Sequence, residues 1–303
     1  MRTVKKLGIL FCIFFVLGSN VFGENSAFTT SDMRDVEKKA EELRAKYKGA
    51  ENVLIVFDID NTLLTMEKEL GSEEWFDWQE KILNDEAQKA HRVGDNFQAL
   101  LFATGLIFEN GSMKCAEGEI TKTVFHNLQK SRHKILLLTS RDYSYMFDTF
   151  HELYENGLVS EKSAITMQND ADVWLPYDVH TVQKEYGFTD TEYVEFKLNK
   201  EPFHVRYTRG IFFTAGQHKG AMMRIIMKKV NANPHAIIFV DNKEKQTARM
   251  HNAFKNSSIE LVTYRYSVLD TKEEKFHSSD KKGVISEWNN LMKKHNWNRV
   301  AKQ

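Results

Sequence analysis

Residues 53–62 read VLIVFDIDNT and join five apolar residues to a run of polar ones. With Asn52, the apolar run predicts a strand over residues 52–57 that is buried on both faces, as in a parallel sheet. The run stops abruptly at Asp58, so the polar residues lie at the carboxyl end of this strand. Ligands of open α/β sheets bind beyond that end of the strands. The stretch therefore predicts both a parallel sheet and a site at its edge.

Segments typical of helices and strands alternate along the rest of the chain. Further strands are predicted at residues 134–138, 210–214, 236–240 and 259–264. Amphipathic helices, with apolar residues three or four positions apart, are predicted at residues 31–48, 119–130, 143–154 and 219–230. This alternation favours the α/β class, with a mainly parallel sheet flanked by helices on both faces.

Two long segments, at about residues 65–117 and 157–209, do not fit the alternation. The first contains Trp75, Phe76 and Trp78 and is expected to be mainly helical, whereas the second is expected to mix strands with loops. Both lie between predicted strands, so we interpret them as insertions into one domain that can cap the site. The three aromatic side chains either stack on a substrate or pack the insertion against the core, and packing is the favoured interpretation.

The amino terminus has the layout of an export signal. A basic start precedes an apolar run at residues 7–17, and Gly23 lies at a suitable cleavage position. A membrane anchor is the alternative, but a spanning helix needs about 20 apolar residues. We therefore predict a signal peptide at residues 1–23 and a mature domain at residues 24–303, exported to the periplasm or secreted, with no stable membrane span.

Composition excludes several classes of protein. Hydrophobic residues make up 42% of the chain, enough for a large core, which excludes intrinsic disorder. Lys+Arg and Asp+Glu are both 42, so no nucleic-acid partner is expected. Beyond residues 1–23 the only cysteine is Cys115, expected to be a buried, inert thiol in a chain without an internal disulfide. The charged segment at residues 272–283 is expected to be a solvated loop.

Asp58 and Asp60 are the sharpest chemical signal. Because side chains alternate along a strand, two carboxylates two residues apart can face the same side as the strand ends. This proximity is costly unless a cation or proton lies between them, and Mg²⁺ prefers oxygen ligands of this kind. One carboxylate can attack phosphorus while the other protonates the leaving oxygen and later activates water. The alternative is an acidic turn in which Asn61 supplies the turn chemistry.

Three further polar residues occur at comparable places. Thr139 ends the strand predicted at residues 134–138 and offers a hydroxyl to a phosphate oxygen. Lys219 begins a predicted helix, where an ammonium and the helix N-terminus both stabilise a phosphoryl anion. Asp241 ends the strand predicted at residues 236–240 and is a third candidate metal ligand. Each signal is weak alone, but their ordered occurrence by chance is improbable.

This ordered set resembles the haloacid dehalogenase-like (HAD) superfamily. VLIVFDIDNT matches the hhhhDxDxT first motif of that family, ILLLTSR the second, Lys219 the third and IIFVDN the fourth. The resemblance covers about residues 52–265 and implies a Rossmann-like parallel sheet flanked by helices, with cap insertions. The Trp-rich insertion and the signal peptide also resemble secreted acid phosphatases of this superfamily and an exported bacterial subgroup.

The resemblance implies a role for each residue. Asp58 would be the nucleophile and a Mg²⁺ ligand, and Asp60 the general acid/base, with its backbone carbonyl on the metal. Thr139 and Lys219 would bind the phosphoryl group, and Asp241 would complete the metal site. Dehalogenases of this fold lack a counterpart of Asp60, so its presence favours phosphate chemistry. The expected activity is hydrolysis of a small phosphomonoester through an aspartyl-phosphate.

One position departs from the family pattern. Members often carry a second acid directly after the fourth-motif aspartate or four residues after it, where this chain has Asn242 and Lys245. Asn242 is a further, neutral candidate ligand, and the missing charge would weaken Mg²⁺ binding. The alternative function is therefore a binding or effector protein that keeps the fold but little turnover, with insertions that serve a protein partner. Arg141 and His218, beside the motifs, either tune the site or lie at the surface.

Overall fold

The computed structural model describes residues 25–167 and 172–295. The predicted signal peptide lies outside these residues. The strands are β1 (Ser26–Thr30), β2 (Val53–Phe57), β3 (Leu64–Met66), β4 (Met113–Cys115), β5 (Lys134–Thr139), β6 (Val173–Trp174), β7 (Val205–Thr208), β8 (Ile211–Phe213), β9 (Ala236–Asp241) and β10 (Glu260–Tyr266). The helices are α1 (Arg34–Lys46), α2 (Glu73–Ile82), α3 (Phe97–Asn110), α4 (Glu119–Lys130), α5 (Met146–Glu155), α6 (Val182–Tyr186), α7 (Asp190–Glu195), α8 (Lys219–Lys229), α9 (Glu244–Phe254), α10 (Asp270–Ser278) and α11 (Lys282–Lys294).

Eight of the strands form one sheet, in the order β1-β10-β9-β2-β5-β8-β7-β6. The pairs from β1 to β8 are parallel, and only β7 and β6 are added antiparallel at one edge. From the central strand β2 the chain runs outward through β5 and β8, then crosses back to β9 on the other side. The strand order therefore reverses between β2 and β9, and such a switch point is where open α/β sheets bind ligands.

The sheet is covered by helices on both faces, as the α/β prediction requires. Alternate side chains of β2 enter two separate cores, with Leu54 and Val56 on one face and Ile55 and Phe57 on the other. All five residues of β2 are buried. A strand apolar at every position fits this place because both of its faces pack against helices.

The predicted helices and strands are confirmed, with ends that differ by a few residues. One expectation is wrong: residues 272–283 are not a solvated loop, because α10 covers Asp270–Ser278 and buries Phe276. Strand β1 and helix α9 were not predicted. The sequence of β1, SAFTT, is largely polar because this strand lies at the sheet edge, where three of its residues are exposed.

The first segment predicted as an insertion begins in β3 and ends just after β4, and these two strands pair as a separate antiparallel sheet. Helices α2 and α3 lie between them in the chain. Trp75 on α2 is buried in the core, and Phe76 and Trp78 are half-buried against it, as the packing interpretation predicts. Cys115 in β4 is buried, and burial raises the pKa of its thiol.

The second segment contributes β6 and β7 to the sheet edge, and its short helix α6 contacts α8. That both segments are insertions in a single domain stays a prediction. Among residues 25–167 and 172–295, no helix is both long enough and apolar enough to cross a bilayer.

Candidate active site

The carboxyl ends of three neighbouring strands bring the predicted polar residues to one edge of the sheet. Asp58 follows β2, Thr139 ends β5 and Asp241 ends β9, so all three lie at the same edge. The backbone N–H of Asp58 donates to the carbonyl of Val240, 2.9 Å away, and this bond holds the first acid against β9. Lys219 is the first residue of α8 and reaches into the same place.

Lys219 lies between two carboxylates. Its Nζ is 2.5 Å from Oδ1 of Asp58 and 2.6 Å from Oδ2 of Asp241, and all three residues are buried. Burial raises the pKa of Asp58 to about 7. The charge of Lys219 opposes this shift, whereas the charges of Asp241 and Asp60 add to it. Burial would lower the pKa of Lys219, but the charges of Asp241 and Asp58 outweigh it and raise that pKa. Lys219 is therefore a fixed cation at the centre of the site.

Asp60 forms a two-pronged ion pair with Arg141. Nε of Arg141 is 2.9 Å from Oδ2 of Asp60, and a terminal guanidinium nitrogen is 2.7 Å from Oδ1. Burial alone would raise the pKa of Asp60, but the charge and hydrogen bonds of Arg141 outweigh this effect and lower it. Arg141 is itself buried, with its guanidinium 4.3 Å from the ring centre of Phe108. It is thus part of the site and not a surface group.

Thr139 is linked to this ion pair through the backbone. Its Oγ1 accepts a hydrogen bond from the N–H of Arg141, 3.1 Å away. Thr139 has no exposed surface, because it lies at the end of a strand inside the sheet. The structure therefore connects Thr139 to Asp60 by way of Arg141.

The turn after β2 is held by its own polar residues. Asn61 has a backbone φ of 52°, in the left-handed region that asparagine tolerates better than most residues. The Oγ1 of Thr62 lies 3.4 Å from Oδ2 of Asp58 and accepts the N–H of Asn242 at 3.0 Å. Asn61 therefore adopts a turn conformation, and this turn is hydrogen-bonded to Asn242, the residue after β9.

Three glutamates that the sequence analysis did not identify also enter the site. Glu73 and Glu74 come from α2 and Glu273 comes from α10. Nδ2 of Asn242 donates to Glu73 at 2.6 Å and to Glu273 at 3.3 Å. Nδ2 of Asn61 likewise donates to Glu74 at 3.0 Å and to Glu273 at 3.3 Å.

Burial raises the pKa of Glu73 to about 8. The charge of Lys243 opposes this shift, whereas the charges of Asp58 and Asp60 add to it. Burial also raises the pKa of Glu273. The spacing of residues in the sequence does not identify these glutamates, because α2 lies in a segment without a motif and the sequence of α10 is typical of a charged loop. The sequence does contain an N-cap residue for α2, Ser72, whose side chain accepts the N–H of Trp75.

Two lysines tie these glutamates to the core. Lys243 lies 2.9 Å from Glu73 and 2.8 Å from Asp77, and Lys272 lies 3.3 Å from Glu74. The carboxylates of this network nevertheless outnumber its cations. The acids are Asp58, Asp60, Glu73, Glu74, Asp241 and Glu273, and the bases are Arg141, Lys219, Lys243 and Lys272. Asp77 is exposed on the outer side of Lys243 and is not part of this group.

Mg²⁺ is the cation that the sequence resemblance implies for this site. Within the described part of the chain, no group of three or more His, Cys, Asp or Glu side chains is arranged to hold a metal. However, Oδ1 of Asn242 is buried and has no hydrogen-bond partner, although a buried carbonyl oxygen normally has one. An orphaned hard oxygen beside an excess of carboxylates is chemically suited to Mg²⁺. The donor set of Asp58, Asp241 and Asn242 therefore has the oxygen ligands that this ion prefers.

His218 fixes the start of α8. Its Nδ1 accepts the N–H of Ala221 at 3.1 Å, and its ring stacks on Phe196 with 4.2 Å between ring centres. Burial lowers the pKa of His218 to about 3, helped by the charge of Arg249. The imidazole is therefore a neutral cap that positions the next residue, Lys219.

Comparison with known proteins identifies a family. No curated protein and no solved structure matches the chain significantly. One family model, described as a protein of unknown function (DUF2608), matches residues 29–299. This range includes every residue of the site described above. Because the match extends over nearly the whole chain, the protein belongs to the DUF2608 family.

Proposed function

We propose that the protein is an exported, magnesium-dependent phosphatase that hydrolyses a small phosphomonoester through an aspartyl-phosphate on Asp58. The observation that carries the proposal is the buried group of Asp58, Lys219 and Asp241 at the switch point of a parallel sheet. The layout of residues 1–23 supports export. The resemblance to the HAD superfamily supports the reaction class.

Asp58 supplies the nucleophile in this proposal. One oxygen, Oδ1, is held by Lys219, whereas Oδ2 has only the 3.4 Å contact with Thr62. Oδ2 attacks phosphorus, the bond from phosphorus to the leaving oxygen breaks, and that oxygen takes a proton. Water then attacks the phosphorus of the acyl phosphate, which releases inorganic phosphate and returns the Asp58 carboxylate.

Lys219 and Thr139 are suited to hold the phosphoryl group. An ammonium has three hydrogens, and two of those on Lys219 point to Asp58 and Asp241, which leaves one for a phosphoryl oxygen. Thr139 accepts a bond from Arg141, so its own hydroxyl hydrogen is available to a second oxygen. Mg²⁺ held by Asp58, Asp241, Asn242 and the Asp60 carbonyl would neutralise the phosphoryl charge.

Asp60 is the proposed proton donor to the leaving oxygen and the later base for water. Its ion pair with Arg141 favours the ionised form. The donor form therefore becomes more populated as the pH falls. Asp58, whose pKa is raised to about 7, must meanwhile stay ionised to attack phosphorus, and this requirement limits the activity at low pH.

The test is hydrolysis of p-nitrophenyl phosphate by the chain lacking residues 1–23, with Mg²⁺ or with EDTA, from pH 5 to pH 8. We expect activity that requires Mg²⁺ and falls by several orders of magnitude in Asp58→Asn. Asp77→Asn, which removes a carboxylate outside the reacting group, is the matched control. Near-full activity of Asp58→Asn would remove the nucleophile assignment and the proposed mechanism with it.

A specific observation favours a second candidate, a HAD-fold binding or effector protein with little turnover. Lys219 already neutralises Asp58 and Asp241 without a metal. Asn242 also lies where members of the HAD superfamily often carry a second acid. This candidate predicts a folded chain that hydrolyses no member of a broad phosphoester panel. Turnover that depends on Asp58 would exclude it.

A further inference from the structure

The side-chain amide of Asn242 has a fixed orientation. Its Nδ2 donates to two carboxylates, Glu73 at 2.6 Å and Glu273 at 3.3 Å. This orientation is assigned from the hydrogen-bond network, because Nδ2 has two carboxyl groups as acceptors and the ionised form of each can only accept. The backbone N–H of Asn242 is also fixed, because it donates to Thr62 beside Asp58.

This orientation leaves a buried oxygen without a partner. Oδ1 of Asn242 has no hydrogen-bond donor, and the residue is only 5% exposed. An unsatisfied buried carbonyl is unfavourable, because it has lost its hydrogen bonds to water without replacing them. Such an oxygen, next to Asp241 in the chain, is a hard ligand of the type that Mg²⁺ accepts. A cation that contacts Oδ1 would satisfy it.

The geometry points to Glu73 as a positioning residue for the magnesium centre: it holds Asn242 so that Oδ1 faces the ion. Helix α2, which lies outside the sheet, thereby supplies part of the metal affinity that Asn242 lacks as a neutral residue. The inference rests on the proposed function, because it assumes that Mg²⁺ binds among Asp58, Asp241 and Asn242.

The test measures metal affinity and not turnover. Mg²⁺ is titrated into the chain lacking residues 1–23 by calorimetry, with Mn²⁺ as a paramagnetic probe for competition. Removal of a residue that orients a ligand typically weakens affinity by about 10- to 100-fold, and we expect this for Glu73→Gln. Asp77→Asn is the matched control, since Asp77 lies on the same helix and shares Lys243 but does not contact Asn242. Its affinity should stay within about two-fold of the parent.

A double variant separates positioning from simple structural support. Asn242→Asp with Glu73→Gln exchanges the amide and the carboxylate, so the hydrogen bond and net charge are kept while the ligand gains a charge. Its Mg²⁺ affinity should equal or exceed that of the parent. If Glu73→Gln binds Mg²⁺ like the parent while Asp241→Asn does not bind it, the inference is overturned and the proposed metal site stands. A folded parent chain that binds no Mg²⁺ would instead overturn the magnesium-dependent function itself.

Discussion

At the scale of single residues, the pairing of Asp60 with Arg141 would set the pH range in which Asp60 can donate a proton in the proposed reaction. Arg141 holds the pKa of Asp60 low against the opposing effect of burial. An aspartate that must be protonated to act therefore works better at lower pH, as long as Asp58 is still ionised. The sequence predicted Asp60 as the acid but left the role of Arg141 open, and it is Arg141 that lowers the pKa of Asp60.

Replacing Arg141 changes this pH dependence in a defined direction. In Arg141→Met, burial acts on Asp60 without an opposing cation, so its pKa rises and its protonated form persists to higher pH. The pKa of Asp58 is about 7 without a metal, but a bound Mg²⁺ would keep its carboxylate ionised, so Asp60 is then the group that limits kcat. We expect kcat to fall with rising pH in the parent and this fall to begin at a higher pH in the variant, by at least about one unit. The measurement is kcat against pH with phenyl phosphate, whose leaving group needs the proton more than p-nitrophenol does. An unchanged profile would show that Asp60 is not the donor.

His218 should make the fold sensitive to acid. Its pKa is lowered to about 3 in the folded protein, so between pH 6.5 and pH 3 only the unfolded chain gains the proton. Stability is therefore complete above pH 6.5 and is lost as the pH falls, by about 2 kcal/mol at pH 5. His218→Asn keeps a capping acceptor without the titration.

The measurement for His218 is the urea midpoint between pH 7.5 and pH 5. The parent midpoint should fall more steeply with acidification than that of His218→Asn. Because the variant also loses the stacking on Phe196, the comparison concerns the slope and not the absolute stability. Equal slopes would contradict the prediction.

At the scale of secondary-structure elements, α8 and α9 approach each other closely at Gly220. A Cβ at Gly220 would lie 2.5 Å from the backbone oxygen of Arg249 and 2.6 Å from the Cβ of Ala253. We expect Gly220→Ala to destabilise the protein by about 1–3 kcal/mol, because α8 must move away from α9. The same shift would displace Lys219, so the loss of activity should exceed that expected from the unfolded fraction.

Gly283 provides the control for this substitution. It lies in α11, and a Cβ there would meet no atom within 4 Å. Gly283→Ala should stabilise the protein by a few tenths of a kcal/mol to about 1 kcal/mol, since alanine favours a helix. Urea unfolding of both variants measures the contrast. A Gly220→Ala protein as stable as Gly283→Ala would refute the close approach.

The elements that were predicted and those that were missed differ in a physical way. The buried strand β2 is apolar throughout and β9 is apolar up to its last residue, Asp241, so their sequences show both their type and their ends. Helix α10 buries only Phe276 and directs Lys272 and Glu273 toward the site, so its sequence resembles that of a loop. Because most side chains of α10 are charged, its sequence lacks the periodic apolar residues from which a helix is predicted.

At the scale of the whole molecule, the sequence predicted the edge of the sheet but not what covers it. Asp58, Thr139 and Asp241 could be placed because parallel strands deliver their ends to one edge. Glu73 and Glu74 could not be placed, because they reach the site through the packing of Trp75 beneath α2, a contact between distant segments. Tertiary packing of that kind leaves no local trace.

Cys115 offers a probe of this global packing. It is buried in β4, and burial raises the pKa of its thiol, so the reactive thiolate is scarce. We expect Ellman's reagent to modify it in the native chain at least about 100-fold more slowly than in urea. The rate of modification at rising urea concentrations measures when β4 opens. Fast labelling of the native protein would contradict the described packing.

The order of strands also sets when the chain can finish folding. β1, at the start of the described residues, pairs with β10, which ends at Tyr266, and the central β2 needs β9 as a neighbour. A growing chain must therefore emerge almost completely before its sheet can close, because the partners of the earliest strands are made last. In a protein that is exported in an unfolded state, this delay would keep the sheet incomplete until the chain has crossed the membrane.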